Sequence, residues 1–235
     1  MKRVWCFLLT HVLVIMSTTG ANFRSRSIGM VVFPGFEVLD VFGPLEYWNI
    51  LPLIAPTGLS VSIISHKVGP VSSIPPIRPD AIGQSILATH SFSNPPNLDI
   101  LIVPGGIGTR TMINDTVLLN FIRDTYPTLE YLVTVCTGSA LVAKTGLLDG
   151  KNATSNKKSF DWVMQQGPNV KWIRRARWVE DGNILTSSGV QAGMDMTNYL
   201  IGKLYSEEIA KQVSDRMEYA PHTDPTWDPF ADQTK

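Results

Sequence analysis

The chain has 235 residues, 44% of them apolar, with Lys+Arg and Asp+Glu each at 20. That length can bury a full core within one domain. Balanced charge, without a basic stripe or an acidic tail, argues against nucleic acid and anionic membrane surfaces, and leaves a small molecule as the expected partner.

The amino terminus differs in character from the rest of the chain. Lys2-Arg3 precede a largely apolar run from Val4 to Met16, and Ser17-Thr18-Thr19-Gly20-Ala21 forms a small-residue exit. This pattern predicts a signal peptide over residues 1–21 and a secreted protein. The apolar run is short for a membrane span of about 20 residues, so no stable membrane insertion is expected after cleavage. An N-terminal strand packed on the sheet is the remaining alternative. Cleavage would remove Cys6 and leave Cys136 alone, so no intramolecular disulfide is expected. Asn114-Asp115-Thr116 and Asn152-Ala153-Thr154 match the glycosylation pattern of an exported glycoprotein.

Ser27 to Phe33 reads as a first strand, ended by Pro34-Gly35. Val38, Leu39, Val41, Phe42, Leu45 and Trp48 come next at helical spacing, with Pro44 at an early turn or a break. Leu59 to Ile64 alternates as a strand, and Gly69 to Pro96 reads as short strands and loops over one sheet edge. Leu98 to Val103 is a buried strand running into Pro104-Gly105-Gly106-Ile107-Gly108. Asn114 to Arg123 predicts a helix capped by Asn114 or Asp115.

Tyr131 to Val135 is short, apolar and mostly β-branched, and Ser139 to Lys144 is helix-compatible, with Gly146 as a stop. Cys136 therefore lies on a sharp strand-to-helix turn, with Gly138 allowing close backbone packing behind it. Such an elbow displays a nucleophile and turns the first helix N–H groups toward it, which favours the thiolate. A short helix over Ser159 to Gln166, a hairpin from Arg177 to Thr186 turning at Asp181-Gly182, and helices over Ala192 to Tyr205 and Ser206 to Tyr219 complete the chain.

Strands alternating with helices predict a doubly wound, mostly parallel α/β sheet, with its site at the carboxyl ends of the strands. That rule collects the Pro34–Asp40 loop, Gly105-Gly106 and Cys136. The glycine pair reads either as a tight turn or as amides facing a developing anion. There is no metal-ligand spacing and no cofactor motif, so neither a metal nor a cofactor is expected.

FPGFEVLDVFGP (33–44), LDILIVPGGIG (98–108), VCTGSALVAKTGLLDGKNAT (135–154), DGNILTSSGVQAGMDM (181–196) and MEYAP (217–221) together resemble the ThiJ/PfpI superfamily. Its members are class I glutamine amidotransferase-like, flavodoxin-like sandwiches with a cysteine elbow. Within it the pattern is similar to that of the isocyanide hydratase-like branch. The resemblance implies a domain over residues 22–221, with 222–235 as a tail. It implies Cys136 as nucleophile, Thr137 as the neighbouring hydroxyl, Asp40 as acid, and Gly105, Gly106 and Thr137 around the oxyanion or substrate. Homodimers are common in the family.

Two departures bear on the chemistry. Deglycase, glyoxalase and peptidase-like branches often carry His after the cysteine, where this chain has Thr137. His90 and His222 are left as distant alternatives, and Glu37 reads as a solvated loop charge. Ser155-Asn156-Lys157 stands where the hydratase-like branch has Thr-His-Trp. Expected activities are therefore isocyanide hydration, then glyoxalase- or deglycase-like chemistry on reactive carbonyls. A non-enzymatic ligand- or redox-sensing role is the third reading, although no DNA-reading region follows residue 221.

Overall fold

The computed structural model describes residues 24–232, so the expected leader at 1–21 and Cys6 lie outside the described residues. In chain order the elements are β1 (Arg26–Val31), α1 (Val38–Ile54), β2 (Leu59–Ser65), β3 (Gly69–Ser72), β4 (Ser85–Ala88), β5 (His90–Ser91) and β6 (Ile100–Val103). Next come α2 (Thr109–Met112), α3 (Thr116–Thr125), β7 (Tyr131–Thr134), α4 (Gly138–Lys144), β8 (Asn152–Ala153) and α5 (Phe160–Gln166). The last are β9 (Lys171–Trp172), β10 (Trp178–Asp181), β11 (Ile184–Ser187), α6 (Gln191–Leu204) and α7 (Glu207–Arg216).

The main sheet has seven strands in the order β10-β11-β7-β6-β1-β2-β5. Each neighbouring pair is parallel except β10 with β11, whose hairpin turns at Asp181-Gly182. Gly182 takes φ 66, the left-handed region that such a turn requires. This is the doubly wound α/β architecture that the alternating pattern predicts. β1, β6 and β7 are apolar runs, and Ile28, Met30, Leu101 and Val133 within them are buried, as strands covered on both faces must be. One helical layer is α1, α6 and α7, and another is α4 with α2, α3 and α5. Among the described residues no helix is long and apolar enough to cross a membrane.

Helix α1 continues through Pro44, where the sequence suggested an early turn or a break, and also through Pro52. Val41, Leu45, Trp48 and Leu51 are all buried, and this stripe compensates for the missing N–H groups. Asp115, one of the two expected caps, accepts the Leu118 N–H at 2.9 Å at the start of α3. Ser159 does not cap α5, because its hydroxyl accepts Arg110 Nη2 at 2.6 Å instead.

Residues 222–232, expected as a tail beyond the domain, pack onto it. Asp228 and Ala231 are buried, and Pro225 O accepts the Arg177 N–H at 2.7 Å. The loops after β1, β6, β7 and β11 consequently share one edge of the sheet, and the carboxy-terminal segment reaches the same region through Arg177.

Candidate active site

Cys136 follows β7 with φ 55, a left-handed conformation that is costly for a residue carrying Cβ. The turn is held from three sides. Its N–H donates to Ser188 O at 3.2 Å, and its carbonyl accepts Ser139 Oγ at 3.1 Å and Ser155 Oγ at 2.8 Å. Gly138 is required, since a Cβ there would lie 2.2 Å from Val103 O. Cys136 is the one free thiol among the described residues.

Asp40 is fully buried in the first turn of α1. Its Oδ2 accepts the Gly105 N–H at 2.9 Å, while Oδ1 has no hydrogen-bond partner. The carboxyl also interacts with the Cys136 side chain and the Val190 backbone. Burial pushes Asp40 up to about 7; the Gly105 amide opposes the shift and the Glu37 charge adds to it. The Cys136 thiol is pushed up as well, by burial first and then by the negative charge of Asp40. The expectation of an acidified thiol is corrected by this environment. The Thr137 N–H favours the thiolate, but removal from water and a neighbouring acid outweigh it. Glu37 is exposed, as a solvated loop charge should be, yet its field reaches both acids.

The glycine pair is engaged differently from the expected anion hole. Gly105 N–H holds Asp40, and Gly106 N–H donates to Thr137 Oγ1 at 3.1 Å. Thr109 Oγ1 donates to Thr137 Oγ1 at 3.2 Å and to Gly106 O at 2.7 Å. A Cβ at residue 105 would approach Thr137 N to 2.6 Å and Asp40 Oδ2 to 2.9 Å. Gly106 takes φ 119. The turn therefore fixes the acid and the hydroxyl against the elbow, and its amides are occupied in doing so.

The structure thus brings together Asp40, Gly105, Gly106, Cys136 and Thr137 at the ends of three strands. The histidines stay apart: His90 bonds Thr89 Oγ1 at 2.9 Å on edge strand β5, and the His222 ring stacks on Trp227 at 4.1 Å. No group of three His, Cys, Asp or Glu among the described residues could hold a metal ion.

Several supporting residues had no local signal in the sequence. Val190 takes φ 46, a strained value for a β-branched residue, and its backbone faces Asp40. Asp195 Oδ2 accepts Arg177 Nε at 2.5 Å, and Oδ1 accepts Tyr219 Oη at 2.7 Å and the His222 N–H at 3.0 Å. The DGNILTSSGVQAGMDM and MEYAP segments are joined there. Lys157, one of the departures from the family pattern, is buried and paired with Asp228 at 3.2 Å.

Similarity to known proteins agrees with this geometry. The DJ-1/PfpI family model matches residues 26–203. The chain is 32% identical to an isonitrile hydratase of Pseudomonas putida, over 83% of this chain and 78% of that protein. It is also 31% identical to the HTH-type transcriptional regulator GbdR of Pseudomonas aeruginosa, over 84% of this chain but only 52% of the regulator. A crystal structure of a ThiJ/PfpI family protein from Pseudomonas syringae superposes with a TM-score of 0.74 at 30% identity, covering 90% of this chain and 84% of the other.

These relatives do not support a secreted glycoprotein, and that expectation is corrected. At Asn152, moreover, the Nδ2 atom that would carry a glycan donates to Asp181 Oδ2 at 3.1 Å. With the family model spanning residues 26–203 and a relative 32% identical over 83% of this sequence, the chain belongs to the DJ-1/PfpI family.

Proposed function

We propose that the protein is a cysteine-dependent hydro-lyase that hydrates a small organic isocyanide to its N-formamide, without metal or cofactor. One observation carries this reading. A buried carboxyl with an unpartnered oxygen, pushed up to about 7, faces a buried thiol that keeps its proton until a base removes it. The isonitrile hydratase relative supports the choice of substrate class.

Asp40 as carboxylate takes the Cys136 proton while Sγ attacks the terminal isocyanide carbon. It returns that proton to the same carbon, giving a thioimidate. Water then adds to the thioimidate carbon, losing one proton to Asp40, which passes that proton to the nitrogen; the hydroxyl proton goes to sulfur in the next step. Collapse breaks the C–S bond, releases the formamide and restores the thiol. Overall one water is added and nothing is oxidised. The Thr137 N–H beside Sγ stabilises developing charge, and the Gly105 and Gly106 amides keep Asp40 and Thr137 in place. The homodimer implied by the family is part of the same proposal, with half-exposed Phe42 on α1 as apolar surface for it.

The test incubates the purified full chain with cyclohexyl isocyanide and follows the formyl proton by NMR. Formamide should accumulate with the wild type and not with Cys136→Ser. Absence of formamide across a panel of alkyl and aryl isocyanides overturns the reading. The regulator relative, 31% identical but matched over only 52% of its own length, favours one second reading, a ligand-sensing domain. Saturable binding of the isocyanide without turnover would select it.

A further inference from the structure

A cleft of about 390 Å³ opens between the 156–158 turn, the 188–192 turn and the carboxy-terminal segment at Asp228 and Phe230. It adjoins the elbow. Ser188 in its wall accepts the Cys136 N–H, the Val190 backbone faces Asp40, and Asn156 directly follows Ser155, which binds the Cys136 carbonyl.

Two features of the walls restrict the occupant. The buried charges are paired with one another, although Asp228 Oδ2 makes no hydrogen bond beyond its ion pair with Lys157. Lys157 Nζ pairs with Asp228 at 3.2 Å and donates to Thr154 Oγ1, Ser155 O and Ala176 O at 3.0, 2.9 and 2.9 Å, while Arg177 is held by Asp195. Lys158 is exposed. A ligand anion would therefore meet no free buried cation here. Against these stand the apolar surfaces of Leu39, Val190, Ala192 and Phe230. The second feature is an acceptor without a donor: Asn156 Oδ1 is buried and makes no hydrogen bond. An unmade bond at a buried polar atom is costly, and a ligand donor removes that cost.

We propose that this cleft holds the organic group of an uncharged, chiefly apolar substrate, and that Asn156 Oδ1 accepts the N–H that forms on its nitrogen. The inference rests on the hydration reading and names its substrate class. An isocyanide nitrogen carries no hydrogen, whereas the formamide nitrogen does. That N–H first forms as water adds to the thioimidate, so the bond to Asn156 is absent for the bound isocyanide and is made as the tetrahedral intermediate forms, where it assists the hydration step. The carboxy-terminal segment, through Phe230, supplies one apolar wall and so limits the size of the group accepted.

The experiment measures protection of Cys136 from iodoacetamide in the full chain, and does not depend on turnover. The probes are N-cyclohexylformamide, its N-methyl analogue, which lacks the N–H, and cyclohexanecarboxylate. In the wild type the secondary formamide should protect about tenfold better than the tertiary one, and the carboxylate should not protect. Asn156→Leu should bring that ratio close to one. Phe230→Ala, at a half-exposed position that folding tolerates, should weaken both formamides several-fold and leave their ratio unchanged. Equal protection by the carboxylate, an unchanged ratio in Asn156→Leu, or no protection by either formamide overturns the assignment. If the expected pattern appears while no isocyanide turns over, the hydration reading falls alone and the ligand class of the cleft stands.

Discussion

Two pairs of buried ionisable groups flank the same cleft and are built in opposite ways. Arg177 and Asp195 carry opposite charges, and both Asp195 oxygens are bonded, one to Arg177 and the other to Tyr219 and the His222 N–H. Asp40 and Cys136 would both be anions, and Asp40 Oδ1 is bonded to nothing. The first arrangement repays part of the desolvation of its charges through attraction and hydrogen bonds. The second offsets desolvation only in part, through amides such as Gly105 and Thr137, so both groups hold on to protons longer than they would in water. Burial alone therefore does not distinguish a brace from a reactive pair. The sign of the partner's charge and the presence of an unmade bond do.

Breaking the brace should give the largest effect. Asp195→Ala leaves the Arg177 guanidinium buried without its partner and frees Tyr219 and the segment after it. A loss of about 3–5 kcal/mol in denaturant unfolding is expected. A loss below about 1 kcal/mol would place Arg177–Asp195 among pairs that contribute nothing, and the contrast would collapse.

Changing the reactive pair should act on rate and leave the fold intact. Asp40→Asn retains shape and an acceptor for Gly105 but cannot carry a proton, and turnover should fall by about 10²-fold or more. Its stability should also respond to pH in one direction only. The folded Asp40 titrates at about 7, against roughly 3.9 in an unfolded chain. Between these values the native state binds the extra proton, so the wild type loses stability relative to Asp40→Asn as pH rises through that window. Above the folded value the difference should be flat. A difference that is constant across that window, read by urea titration, would remove the burial argument for Asp40.

The smallest effect sharpens the other half of the pair. Iodoacetamide alkylation of Cys136 should show a midpoint above the ordinary thiol value of about 8.5. In Asp40→Asn the midpoint should move down without reaching that value, because burial is the first cause of the shift and Asp40 the second. A wild-type midpoint below the ordinary value would restore the acidified thiol that the elbow pattern suggests.

Much of this was legible in the chain itself. The β-branched runs at 98–103 and 131–135 marked neighbouring strands of the sheet, and the turn after the second placed Cys136 correctly. What could not be read was who bonds whom across distance. Gly105 and Gly106 look identical as free or occupied donors until Asp40, 65 residues away, and Thr137, 31 away, are seen to occupy them. The burial of Lys157 was hidden because its partner Asp228 lies in a segment whose composition suggests a loose tail. Pro44 in α1 misled for a related reason. Propensity disfavours a helix there, and only the burial of Trp48 and Leu51 shows what overrides it.

The left-handed backbone of Cys136 bears on the history of this chain as well as on its chemistry. Glycine would adopt φ 55 without the steric cost that a Cβ imposes, about 1 kcal/mol or more. The backbone thus favours glycine at residue 136, and under the proposed reaction the thiol is what offsets that preference. In a descendant relieved of its reaction, that residue is where drift would begin, and the first substitution would stabilise the protein that had lost its nucleophile.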